Sequence, residues 1–397
     1  MQIGLLFGLF PKELRKEIES KSIGPIQYAA DALQWAIVRG LDEYTDLTLI
    51  NLPYVGSFPN RYEDSNMASF EFSHKTGAKD YNVGFNNFAL YKFYSRYLNA
   101  YKCLSNVFNS KIDVLIIYTI HTPFILAALK AKKNNPNLKI CLVAPDLPEF
   151  MDGNQSFLKI LLKRVEGKIL KKALLKIDAF VLLSAYMIEP LKVGLRPWVC
   201  VEGIYDQKAN SDLPVVKSSG KNVFYSGTLA ARYGILNLLN AFGLIKDPTY
   251  NLWICGDGDT KEEIIARSKK DERIKFYGQM PREEVLALQK MATVLVNPRG
   301  SEGEFTKYSF PSKTMEYLAS GVPSIMHKLP GIPDEYFQYC FVVDREDATG
   351  LKEKIIEVCE MEEEKWRSFG SSARQFILNY KTPIMQCEKI YNMINAL

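Results

Sequence analysis

The sequence predicts an α/β protein made of two parallel-sheet domains, on three observations. Short apolar runs alternate with helical patterns from end to end, as strands feeding crossover helices do. The 397 residues are enough for two cores. Near the middle, VEGIYD at 201–206 leads into a polar run at 207–221, where Lys, Asn, Ser, Asp and Pro replace the apolar pattern, as in an inter-domain connection.

The elements follow in order. Strand candidates in the first half are 3–7, 47–52, 114–118, 140–144 and 179–183, with helical patterns at 25–39, 88–108 and 124–133. Residues 53–87 are rich in Asn, Ser, Gly and aromatics, lack periodicity, and read as a long loop system of the kind that binds ligands. The run 114–129 is strongly apolar, but His121 and Pro123 interrupt it and it is short for a bilayer span, so it reads as a strand feeding a helix. The second series of strands is 222–226, 252–255, 274–277, 293–297, 324–326 and 341–343. Helices are expected at 235–242, from Arg282, at 348–361 and at 364–379, before a last segment at 382–397.

Composition excludes several classes. With 47% apolar and 24% charged residues the chain is neither disordered nor fibrous. Its seven cysteines are scattered without a C-x-x-C pair or a His-Cys cluster, so neither a zinc site nor a disulfide framework is expected, and a reducing, cytoplasmic compartment fits. The opening MQIGLLFG reads as a strand without the basic start of a signal peptide. Residues 156–176 hold seven basic side chains and one acid, a surplus of +6 against +5 for the whole chain. Apolar residues recur there at helical spacing. This basic amphipathic helix is either solvated on a domain surface or attached to an anionic membrane. It lacks interleaved aromatics and the pI of 8.6 is modest, which argues against nucleic acid.

The chemistry concentrates in NPRGSEGEFTKYSFPSKTMEYLASGVPSIM at 297–326. Pro311 suits a helix start, Gly321 a helix stop, and Pro323 prevents continuation. Exposed amides at that start, with Arg299, Lys307 and Lys313 nearby, suit a diphosphate. Glu316, about one turn further on, can accept two hydrogen bonds from a vicinal diol. Diphosphate and diol together describe a nucleotide sugar. Three further turns end strands: YSGTLAARYG at 225–234, CGDGD at 255–259 and FYGQMP at 276–281. Each alone is compatible with an ordinary βα connection.

In this order and spacing the four segments resemble the donor domain of family 4 glycosyltransferases, retaining enzymes of GT-B architecture. The resemblance covers 222–344 well and the first half only in outline. It implies two Rossmann-like domains facing a central cleft: 1–202 for the acceptor, 203–380 for the nucleotide sugar, and a C-terminal helix at 381–397 crossing back to the first. Glu316 matches the family's ribose-binding acid. The acid that should precede it falls at Tyr308, and Glu304 is the candidate substitute near the sugar. Gly227, Thr228 and Ser312 fall at donor-binding positions. Thr228 and Tyr233 stand where the family has Arg and Lys, with Arg232 the nearest replacement. Arg232, Arg299, Lys307 and Lys313 are assigned to the diphosphate. Tyr277 and Gln279 are base-contact candidates, although Tyr277 also suits a core. In the first half Gly24 matches a glycine loop near the phosphates. Asp146 fits an acid beside the reacting sugar, or simply orders its loop. His121 and His327 read as structural.

The implied reaction is retaining transfer of a hexose-type sugar from a nucleotide-sugar substrate, UDP-linked by frequency among similar enzymes, without a metal or other cofactor. The acceptor is a saccharide or lipid-linked intermediate of cell-surface polysaccharide. The expected location is cytoplasmic, peripheral on the inner face of the membrane. Two alternatives stay open: a nucleotide-sugar epimerase, and a noncatalytic GT-B subunit that activates another transferase.

Overall fold

The computed structural model describes residues 1–107, 112–147, 157–207 and 220–397. Most of the polar run 207–221 and the end of the segment 144–149 lie outside the described residues. The chain forms two compact units, 1–204 with 383–397, and 205–382.

Unit 1 begins β1 (Ile3–Phe7), α1 (Lys12–Lys21), α2 (Tyr28–Leu41) and β2 (Leu47–Asn51). Four short strands follow, β3 (Asn66–Met67), β4 (Phe70–Phe72), β5 (Asp80–Asn82) and β6 (Phe85–Asn86). Then come α3 (Ala89–Val107), β7 (Val114–Tyr118), α4 (Thr122–Asn134), β8 (Lys139–Ala144), α5 (Phe157–Leu174), β9 (Ala179–Leu182) and β10 (Trp198–Cys200). The main sheet runs β10-β9-β8-β7-β1-β2-β5-β4, parallel except for β4 against β5. Its central strands are buried on both faces, which is why they read as unbroken apolar runs. Ile3, Leu5, Phe7, Val114 and Ile116 pack on Ile37, Val38 and Leu41 of α2. The alternate residues, Leu6, Leu115 and Ile117, are equally buried and face the layer of α3, α4 and α5.

Three expectations need correction. The segment 53–87 is not all loop: β4 and β5 extend the main sheet and β3 pairs with β6. Each strand is only two or three residues long, too short for periodicity to register. The helix expected from residue 25 begins at Tyr28, after Gln27 as its cap residue. Finally, α1 is a helix the pattern did not announce, because it is almost entirely charged and buries only Leu14 and Ile18.

Unit 2 contains β11 (Lys221–Ser226), α6 (Ile235–Gly243), β12 (Tyr250–Cys255), α7 (Lys261–Ser268), β13 (Ile274–Gly278) and α8 (Arg282–Met291). It continues with β14 (Val294–Asn297), α9 (Ser312–Ser320), β15 (Ser324–Met326), β16 (Phe341–Val342), α10 (Ala348–Cys359) and α11 (Glu363–Tyr380). All six strands are parallel in the order β13-β12-β11-β14-β15-β16. Leu238, Leu239 and Phe242 of α6 join Leu351, Ile355 and Val358 of α10 over one face. The strand order reverses between β11 and β14, and open α/β sheets bind ligands beyond the strand ends at such a switch point. The last helix, α12 (Pro383–Asn395), belongs to unit 1, where Cys387, Ile390 and Ile394 pack beside α2.

Candidate functional site

The switch point of unit 2 is built by close backbone contact. At Gly256, after β12, a Cβ would stand 1.9 Å from the Gly227 carbonyl oxygen. The Gly227 amide donates to the Cys255 carbonyl at 3.1 Å and the Leu229 amide to that of Asp257 at 2.9 Å. At Gly234, with φ of +80°, a Cβ would lie 1.9 Å from the Pro298 carbonyl oxygen. These two positions need glycine so that the turns after β11, β12 and β14 can meet. The tight contact at Gly234 brings Arg299, just beyond β14, against the turn that opens α6.

There the guanidinium of Arg299 lies between two rings, 4.7 Å from the centroid of Phe305 and 5.1 Å from that of Tyr233. Its Nη2 donates to the Ser309 hydroxyl at 3.0 Å, while its buried Nε has no partner among the described residues. Arg232 approaches the same Tyr233 ring at 4.9 Å and donates to its hydroxyl at 3.1 Å. Burial, and secondarily the charge of Arg232, push the pKa of Arg299 down, although an arginine remains cationic at neutral pH. Among the described residues no carboxylate pairs with either guanidinium. Two guanidiniums thus share one phenol ring, with no carboxylate among the described residues to neutralise them, an arrangement chemically suited to an anion.

Helix α9 begins beside it. Pro311 takes the cap position and supplies no side-chain acceptor, so the first amides keep their donors available. The buried Tyr317 hydroxyl accepts from the Ser226 amide at 3.0 Å and ties α9 to the end of β11. Ser312 and Lys307 are exposed, as is Glu304 in the 3-10 turn Glu304–Lys307. That loop is fixed from behind, since the Gly331 amide donates to the Thr306 carbonyl at 3.0 Å.

Glu316 is held by cations on both sides. Lys313 reaches one carboxylate oxygen at 2.7 Å and Arg282, the first residue of α8, reaches the other at 3.2 Å. The structure thus places Lys313 on Glu316 and joins Glu316 to the start of α8, next to the exposed Tyr277 and Gln279. Thr228 is exposed beside Gly227. The two acids of CGDGD are engaged within the protein: Asp259 accepts from the Ala231 amide of the neighbouring turn at 3.2 Å, and Asp257 lies 3.4 Å from Lys261.

Sequence reasoning missed Arg282 as the partner of Glu316, and it missed Glu346. The latter's carboxylate accepts from the Ser301 amide at 2.8 Å, across 45 positions in sequence. Only the pairing of β14, β15 and β16 brings these loops together, so local spacing carries no signal for it.

In unit 1, Gly24 is exposed with φ of +113°, in the segment before α2. A cavity of about 150 Å³ adjoins it, lined by Phe10, Pro25, Tyr54, Gly56 and Arg61 among others. Asp146 reaches solvent just beyond β8, yet the low-polarity surroundings push its carboxyl up to about 6. His121 is held neutral by burial, its ring 4.7 Å from Phe124 and 5.6 Å from Tyr54. Both ring nitrogens of His327 are buried without a partner among the described residues.

Residues 207–376, fewer than half of the chain, match the model of the family Glycosyl transferases group 1. No curated protein matches the sequence. Solved structures are similar along their whole length. Sucrose-phosphate synthase from Thermosynechococcus elongatus is 15% identical with a TM-score of 0.62, covering 100% of both chains. The lipopolysaccharide outer core galactosyltransferase WaaB is 14% identical with a TM-score of 0.63, covering 100% of this chain and 99% of that one. Anabaena Alr3699/HepE in complex with UDP is 12% identical with a TM-score of 0.64, covering 100% of both. At such identities the likeness shows the fold, which is GT-B: two α/β units with parallel sheets.

Proposed function

We propose that the protein is a retaining glycosyltransferase. It would move a hexose-type sugar from a nucleotide sugar, UDP-linked, to a saccharide or lipid-linked acceptor in cell-surface polysaccharide synthesis. The observation that carries this reading is the pair Arg232 and Arg299 around Tyr233, cations without a carboxylate at the switch point of unit 2. The match of 207–376 to a glycosyl transferase family and the UDP and UDP-glucose bound to the HepE neighbour support it.

In this reading the diphosphate sits on Arg232, Arg299, Lys307 and the amides of Ser312 and Lys313, with Gly227 and Thr228 alongside. Glu316 takes the ribose hydroxyls, with Lys313 exchanging from its carboxylate to the phosphates. Tyr277 and Gln279 face the base. The bond from the anomeric carbon to the diphosphate oxygen breaks, and the acceptor oxygen bonds to that carbon on the same face. The acceptor proton passes to the departing diphosphate. Catalysis rests on electrostatic stabilisation of the leaving group and on positioning, with Glu304 near the sugar. Attachment through 156–176 to the inner membrane surface completes the reading; no helix among the described residues is long and apolar enough to cross a bilayer.

A thermal-shift screen against UDP, GDP, ADP and their common sugars tests the donor site, and NMR of the product's anomeric proton tests retention. Stabilisation by none of the nucleotides would overturn the assignment. A noncatalytic GT-B subunit is the second reading, favoured by Tyr308, Thr228 and Tyr233 where charges are expected. Tight binding to another transferase without nucleotide binding would establish it.

A further inference from the structure

We infer that the helical layer α3–α4–α5 of unit 1 docks on an anionic lipid bilayer, with the aromatic start of α3 entering the headgroup region and the lysines of α5 lying against lipid phosphates. This extends the membrane part of the proposed function and draws nothing from the donor chemistry.

The first turns of α3 expose a cluster a soluble surface does not usually carry. Leu90 is 94% exposed, Tyr91 and Tyr94 each 51%, and Phe88 and Phe93 are also exposed. The rings rest on one another, Tyr91 on Tyr94 at 5.7 Å and Phe88 on Phe58 at 4.9 Å. Large contiguous apolar exposure marks an interaction surface.

The three helices of this layer carry charges almost entirely of one sign. α3 packs on α4 and α4 on α5. Neither α3 nor α4 contains an Asp or Glu, and α5 contains only Glu166. That carboxylate turns toward α4, where it accepts from the Thr122 hydroxyl at 2.7 Å. Lys168, Lys171, Lys172 and Lys176 are exposed and interleave with exposed Val165, Ile169 and Leu175. Among the described residues none of these lysines has an ion-pair partner, whereas α7 and α11 of unit 2 carry the pairs Arg267–Glu263 and Arg367–Glu363.

Protein interfaces deplete lysine at their apolar centres, whereas the boundary of an anionic leaflet takes amphipathic aromatics together with lysines. The mixture of Tyr, Phe and Leu with unpaired Lys therefore favours a lipid surface over a protein partner.

The full chain should float with vesicles of phosphatidylcholine plus phosphatidylglycerol, not with phosphatidylcholine alone, and high salt should release it. Combined Leu90→Ser, Tyr91→Ser and Tyr94→Ser should lower partitioning at least about tenfold, as should Lys168→Glu, Lys171→Glu and Lys172→Glu. Both variants should keep wild-type circular dichroism and nucleotide binding, since they alter exposed residues outside unit 2. Absence of wild-type binding to anionic vesicles, or unchanged partitioning of the α3 variant, overturns the inference. So does a concentration-dependent dimer lost in that variant, which would mark a protein interface. Nucleotide calorimetry on the same samples reports separately on the donor site, so one can fail without the other.

Discussion

Replacing Arg299 by Met should abolish most of the activity while leaving the fold almost as stable as before. Methionine keeps an unbranched apolar stem between Phe305 and Tyr233. The losses to folding are one hydrogen bond to Ser309, about 1 kcal/mol, and two ring contacts of about 0.5–1 kcal/mol each. Against them stands the removal of a half-buried guanidinium without a carboxylate partner, whose desolvation costs a few kcal/mol. These terms nearly cancel, so Tm should move by no more than about 4 °C. Stabilisation of the leaving diphosphate has no such offset. Losing a charge-assisted hydrogen bond there, about 1.5–3 kcal/mol, lowers kcat/KM roughly 10- to 150-fold. Slow hydrolysis of the donor, which needs no acceptor, reads the chemistry; calorimetry with the nucleotide and a thermal melt read binding and fold. A melt that collapses in step with activity would make Arg299 a structural residue, and undiminished nucleotide affinity and hydrolysis would remove it from the site.

Four further outcomes are expected. Glu316→Gln should weaken UDP binding about tenfold while leaving pyrophosphate binding unchanged, because it loses a ribose acceptor and frees Lys313 and Arg282; equal losses in calorimetry would refute the ribose role. Gly234→Ala, forced to φ of +80° with its Cβ against Pro298, should destabilise unit 2 by more than about 2 kcal/mol in urea. A neutral melt would mean that the approach of Arg299 to Tyr233 does not depend on this contact. For Asp146 the folded pKa of about 6 lies above the unfolded value of 3.8, so the native state binds the proton more tightly. Its ionisation therefore costs nothing in stability below about pH 4 and the full, solvent-screened amount above about pH 6. Asp146→Asn should raise Tm at pH 7.5 relative to wild type and not at pH 4, and a gain confined to low pH would contradict the sign. Glu304→Gln should reduce turnover with nucleotide affinity intact, and an unchanged rate would leave the acid missing at Tyr308 unreplaced.

The fold was legible because parallel strands buried on both faces leave continuous apolar runs; most of the eleven strands located in two series are of this kind, while β13 and β16 are only partly buried. What escaped was structure whose stability is not local. Strands as short as Asn66–Met67 and Phe85–Asn86 exist only because each finds the other, and Asp80–Asn82 only because β2 offers an edge. The charged α1 shows no apolar stripe wide enough to read, since two residues anchor it.

The candidate site divides along the same line. Residues within one strand–turn–helix unit, such as Gly227 with Arg232 or Lys313 with Glu316, could be grouped from spacing because the chain itself holds them close. Partners supplied by neighbouring strands, Arg282 for Glu316 and Glu346 for Ser301, had no such signal. Tyr233 is the instructive position. From the sequence it looks like a lost cation, a tyrosine where similar enzymes have lysine. In the structure its ring is the platform on which Arg232 and Arg299 both rest, one of them delivered from a different strand by the contact at Gly234. A phenol cannot replace an ammonium as a charge, but it can hold two guanidiniums side by side against their mutual repulsion. Two guanidiniums therefore meet where a single position, taken alone, reads as uncharged.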